Sequence, residues 1–130
     1  KDDKMVLTPT YHVFRMFRVH QEAQLLKTDL KCEDYTFGEK KIPAISASAS
    51  IDKTGKIHLS LANLNPNKEI VITCPIVGNS LNSVTGEILT AKEMNAFNSF
   101  ENPEVVKPVT FSGYKLKDMF SQSLCRQNLS

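Results

Sequence analysis

The stretch Ile45-Ser46-Ala47-Ser48-Ala49-Ser50-Ile51, followed by Asp52-Lys53-Thr54-Gly55 and then Ile57-His58-Leu59-Ser60-Leu61, decides the fold class. Side chains leave a strand alternately toward its two faces, so Ile45, Ala47, Ala49 and Ile51 line one face and the serines the other. Asp52, Thr54 and Gly55 supply turn chemistry, and Ile57, Leu59 and Leu61 resume the alternation, so the segment reads as an antiparallel β-hairpin. Downstream, Asn63-Leu64-Asn65-Pro66-Asn67 predicts a second reversal into a third strand over residues 70–74, which Pro75 ends by removing a ladder donor. Residues 84–89 read as a short strand interrupted by Gly86, with further strands at 110–117 and 124–129. The stretch 95–108 has neither period and reads as a loop pinned by Phe97, Phe100 and Val105 tucking onto the sheet. Many short strands with turns between them predict a mainly β protein, an antiparallel sandwich or barrel.

Working back toward the N-terminus, the period changes. His12, Arg15 and Arg18 recur every three residues between apolar Val13, Phe14, Met16, Phe17 and Val19, which is a helical spacing. Thr8 before Pro9 is a start signal, because the capping hydroxyl accepts an orphan N–H and proline has none to leave unpaired. This helix precedes the sandwich and carries more apolar surface than one stripe needs. Either it packs on its own sheet or it has a neighbour elsewhere.

Composition bounds the rest. A chain of 130 residues, 41% apolar and 23% charged, is one ordinary globular unit. No run approaches 18 apolar residues, so no membrane partner is expected, and Lys1-Asp2-Asp3-Lys4 does not open a signal peptide. The chain reads as soluble and trimmed, or as part of something longer. With a net charge of +2 and scattered basic residues there is no focused face for nucleic acid. Cys32, Cys74 and Cys125 lie far apart and read as buried apolar thiols in strands, the alternative being one disulfide plus a free thiol.

Candidates for chemistry are few. Glu101 and Glu104 flank Asn102-Pro103 and read as solvated rather than as an acid/base pair. His12 falls on the polar stripe of the helix, His20 near its end and His58 on the outward face of its strand, none at a metal-ligand spacing. No phosphate loop, nucleophile elbow or metalloprotease motif occurs, so the residues imply no cofactor and no metal. A sugar-binding sandwich wants an exposed aromatic platform, for which Tyr35 and Tyr114 are the candidates.

Two stretches carry a resemblance. Residues 5–14 and 19–21, together with Leu89-Thr90-Ala91 and Met94-Asn95-Ala96-Phe97-Asn98-Ser99-Phe100-Glu101-Asn102-Pro103-Glu104-Val105-Val106-Lys107-Pro108, resemble the C-terminal region of family 51 α-L-arabinofuranosidases. The 45–61 hairpin and the Ala62-Asn63-Leu64-Asn65-Pro66 turn look like the same region, so the resemblance runs from about 5 to 117. It implies a parent that joins a (β/α)8 barrel to a jelly-roll-like sandwich and releases terminal arabinofuranose from arabinan and arabinoxylan with retention. The two glutamates of that reaction lie on the barrel and match no position here. The resemblance therefore implies that 1–22 is the last barrel helix, with Val13, Phe14, Met16, Phe17 and Val19 packing on the barrel, and that 23–130 is a noncatalytic sandwich. Its expected partners are the barrel of the same parent and a second copy in a homo-oligomer, since a strand contributed from the enzyme's N-terminus is absent. The alternative is a binding module for arabinose-containing polysaccharide. In the family a turn and a strand usually separate the segments resembling 115–118 and the final strand, whereas here Asp118 runs into Met119, so a few residues are expected to be missing at that point. Thiols lean toward a reducing cytoplasm, while polysaccharide substrates equally suit a periplasm or the exterior.

Overall fold

A computed structural model describes residues 3–78 and 81–116. Helix α1 (Pro9–Phe17) continues into a 3-10 turn (Arg18–His20), and strands β1 (Gln24–Leu25), β2 (Asp34–Phe37), β3 (Lys40–Pro43), β4 (Ile45–Ile51), β5 (Ile57–Asn63), β6 (Glu87–Ile88) and β7 (Val109–Thr110) follow. All pairings are antiparallel: β1-β4-β5 form one sheet, and β2-β3 and β6-β7 form two ribbons. The fold is therefore mainly β with one N-terminal helix, as the periodicities predict. No helix among the described residues is long and apolar enough to cross a membrane.

The hairpin forms as the alternation requires. Ile45 faces Asn63 and Ile51 faces Ile57 across a continuous seven-residue register. Its turn is built by Asp52, whose Oδ1 accepts from the Thr54 amide (2.8 Å), the Thr54 hydroxyl (2.6 Å) and the Lys56 amide (3.1 Å). Gly55 closes the turn at φ +84°, a region that a side chain would strain. Ala44 and Ile45 anchor the core with Ala49, Ile72 and Val106. The Ala44 amide donates to Glu33 O and its carbonyl accepts from the Leu64 amide, tying β2-β3 and the turn after β5 to one buried residue.

Several expectations are corrected. Residues 70–74 form no strand, although Ile72 is buried. The preceding turn explains this: Asn63 Nδ2 donates to Lys68 O, Asn63 Oδ1 accepts from the Asn65 amide, and Asn65 Oδ1 accepts from the Asn67 amide. Asparagine side chains thus close the reversal locally over 63–68, in place of backbone pairs that would carry β5 on into a third strand. Residues 84–89 shrink to β6, just before which Gly86 faces the Phe111 ring, where a Cβ would make ordinary van der Waals contact. β7 covers part of the expected strand around 110, while 114–116 are not in a strand and 124–129 lie outside the described residues, as does the 118–119 junction.

In the 95–108 loop the side chain that turns inward is Val106; Phe97, Phe100 and Val105 remain exposed. Asn98 rather than an aromatic pins the segment. Cys32 is exposed ahead of β2 and Cys74 is half-buried, both outside strands, and Cys125 is beyond the described residues.

Candidate functional site

The helix is placed by its ends. Thr8 Oγ1 accepts from the Tyr11 amide at 3.2 Å, with Pro9 opening the first turn. Arg15 then reaches Glu87 of β6, at 3.1 Å to the nearer carboxylate oxygen. At the far end the His20 ring spans the hairpin, Nδ1 at 2.6 Å from Ser50 Oγ on β4 and Nε2 at 2.7 Å from Ser60 Oγ on β5. In a neutral imidazole one nitrogen donates and the other accepts, and a hydroxyl can take either part.

With the helix so placed, Arg15 and Arg18 of its polar stripe stay exposed, but two residues depart from the sequence pattern. His12, expected on a polar exposed stripe, is 8% exposed, and its Nδ1 has no hydrogen-bond partner among the described residues. Phe14 is 75% exposed, and Val13, Phe17 and Val19 are also exposed, with Met16 half-buried. His20 turns toward the domain because the hairpin offers it two hydroxyls, His12 is buried one helical stretch before it, and Phe14 is left outward. Val13, Met16, Phe17 and Val19 also border a cavity of about 620 Å³ that runs along β5 toward Ile88 and Phe111.

The serine face of the hairpin is thus a docking face. Ser50 is buried, and His58, opposite it in register and expected to point outward, is half-buried with Nε2 2.8 Å from Asp52 Oδ2. Asp52 and His58 form one couple, and His20 with its two serines forms another. Among the described residues no single imidazole joins a carboxylate to a serine, and buried Ser50 is not placed to meet a substrate. The Asp52 carboxyl is held well below the usual carboxylate range, chiefly by the Thr54 hydroxyl and then by His58.

Burial, and after it repulsion from His58, lowers the His20 pKa from its ordinary value of 6.5. The unfolded chain therefore binds this proton more readily than the folded one, and stability declines as the pH falls below about 6.5. Asp52 adds no slope there, because its contribution is lost only far into acid. We expect the thermal midpoint to drop between pH 7 and pH 5, and His20→Gln to flatten that dependence. A wild-type midpoint independent of pH over this range would contradict the assignment.

The remaining candidates separate. Glu101 is held below its ordinary pKa by its own backbone amide and by Ser99, and Glu104 by Lys107, whose Nζ lies 2.7 Å away. Both shifts favour carboxylates, whereas a general acid needs its pKa raised. Tyr35 sits half-buried on β2, opposite Ile42. Tyr114 lies beyond β7, its hydroxyl donating to Val84 O at 2.7 Å and its ring packing on Phe111 at 6.3 Å between centroids. The two tyrosines belong to different parts of the fold, and Tyr114 is used in packing. Sequence reasoning missed the Asp52–His58 and His20–Ser50–Ser60 contacts. Only the shared face of His58 and the serines, two residues apart along β4 and β5, could have signalled them.

Comparison with known proteins gives the context for this helix-on-hairpin arrangement. Residues 1–126 match the family model described as the alpha-L-arabinofuranosidase C-terminal domain. The chain belongs to that family. It is 44% identical over 117 residues to an intracellular exo-alpha-L-arabinofuranosidase of Bacteroides ovatus, spanning 89% of this chain and 23% of that protein. Among solved structures, the GH51 arabinofuranosidase of Xanthomonas axonopodis pv. citri superposes with a TM-score of 0.90 at 33% identity, over 99% of this chain and 25% of that one. The thermostable GH51 alpha-L-arabinofuranosidase of Thermotoga petrophila RKU-1 gives a TM-score of 0.71 at 26% identity, over 85% and 26%. The domain thus spans about a quarter of the length of these relatives.

Proposed function

We propose that this domain is the noncatalytic sandwich of an α-L-arabinofuranosidase that removes terminal arabinofuranose from arabinan or arabinoxylan, and that it supports the catalytic barrel of its parent. The observation that carries this reading is the helix: His12 is buried in the domain while Phe14 is 75% exposed. A soluble helix turns its apolar side to whatever body it packs against, so α1 has its second partner beyond the domain. On this reading residues 1–22 are the last barrel helix and 23–130 the sandwich, with Val13, Phe14, Phe17 and Val19 presented to the barrel and Met16 shared between the two.

The test is Phe14→Ser in the full-length parent. Within the domain this side chain is exposed and its replacement costs little, whereas seated on a barrel it costs about 3 kcal/mol or more, as large-to-small changes of buried aromatics do. Calorimetry of the parent should show a lowered midpoint, and an unchanged one would sink the reading. Migration of the parent through gels containing arabinan tests the alternative, a polysaccharide-binding role on Tyr35, which would appear as retardation lost in Tyr35→Ala. A homo-oligomer contact belongs to the same proposal and is read by light scattering across concentrations.

A further inference from the structure

A second apolar surface lies on the loop 94–105, beside the start of the helix. Its backbone is fixed, not loose: Asn98 Nδ2 donates to Leu7 O at 2.7 Å and to Val106 O at 2.8 Å, while Oδ1 accepts from the Val106 amide at 2.7 Å. Inside it, the Ser99 amide donates to Asn102 O and the Asn102 amide to Ser99 Oγ, both at 3.1 Å. On this rigid frame Phe97 is 70% exposed and Phe100 44%, and Met94 and Val105 are exposed on the same loop. Single exposed apolar residues are ordinary, but a cluster of them on an ordered loop marks a contact surface. The Asn98 clasp also ties the loop to Leu7, the residue just before the Thr8 cap, so the loop and the helix start from one fixed point.

Area argues for a second element. A nine-residue helix is about 14 Å long and about 10 Å across, and one side of it covers too little for an interface between domains, which buries roughly 600–1,500 Å². The solved relatives carry about three quarters of their length outside the matched region, because this chain covers 25% and 26% of theirs. As part of the same chain in those relatives, that portion meets this region at high effective concentration. We propose that loop 94–105 is a second seat for the catalytic portion of the parent chain, with Phe97 and Phe100 as apolar anchors and Asn98 as the positioning residue that holds the loop beside the helix. The proposal rests on the function proposed above and adds to it a surface which that reading does not require.

Hydroxyl-radical footprinting of the full-length parent tests it, comparing the oxidation rate of each phenylalanine in the native protein with its rate after unfolding in urea. Seated in an interface core, Phe97 and Phe14 should both react roughly tenfold slower when native, and Asn98→Ala should restore reactivity at Phe97 while leaving Phe14 protected. Phe14 protected with Phe97 at nearly its unfolded rate would overturn this proposal and leave the helix contact standing. Both reactive would overturn the two readings together. Protection of Phe97 that appears only at high protein concentration, or only with added arabinan, would assign the loop to a second copy or to polysaccharide, and would equally overturn it.

Discussion

Asn98→Ala should lower the unfolding free energy of the chain by about 2–4 kcal/mol, because the substitution strands three backbone groups rather than removing one contact. The carbonyls of Leu7 and Val106 and the Val106 amide all bond this single side-chain amide, and Val106 itself is buried. Asn98→Asp keeps the acceptor for the Val106 amide but turns a donor toward two carbonyls into a charged acceptor, so it should be no better tolerated than alanine. Urea unfolding followed by circular dichroism measures both variants, and a loss under about 1 kcal/mol for alanine would mean that the loop does not depend on its clasp.

Ile45→Ala should be comparably severe, costing about 2–5 kcal/mol, with Ile45→Val costing about 0.5–1.5. Ile45 is 2% exposed and is the largest fully buried side chain among the described residues; the other buried apolar residues are Ala44, Ala49, Ile72 and Val106. A core this small has few neighbours able to move into a vacated volume, so the cavity remains. Against a total stability of about 5–15 kcal/mol, alanine at this position removes a large share of the folded state's margin. The same urea titration reads the effect, and valine outweighing alanine would show that shape rather than volume governs the site.

The hairpin and the helix start were legible because each depends on its own residues. Strict alternation sets the β4-β5 register, the Asp52 carboxylate folds its turn, and Thr8 caps the helix through the Tyr11 amide three positions on. The β2-β3 ribbon was overlooked although Gly38, at φ +58°, begins a two-residue connection between Phe37 and Lys40. Its exposed lysines mask the alternation on which strand recognition relies. The direction in which α1 faces was not legible, because amphipathic spacing identifies an apolar side without saying which body covers it. Nor could spacing show that His20, thirty and forty residues from its serines, would find both. Strand 70–74 failed for the converse reason: it alternates, but the reversal before it is closed by asparagine side chains over 63–68 and not by backbone pairs that would run on into a ladder.

The imidazole of His20 has a consequence for anyone who exchanges parts between such enzymes. A junction drawn at residue 22 follows the change from helical to strand period, yet it severs Arg15 from Glu87 and His20 from Ser50 and Ser60, which hold the helix to the sheet. A chimaera joined there would bring in a helix whose histidines and arginine were chosen for another hairpin. Moving the junction upstream of Leu7 keeps those pairs and the Asn98 clasp intact, and confines any mismatch to the outward aromatic side. The seam that a graft should respect is therefore set by side-chain partnerships, about fifteen residues before the point where the secondary structure changes.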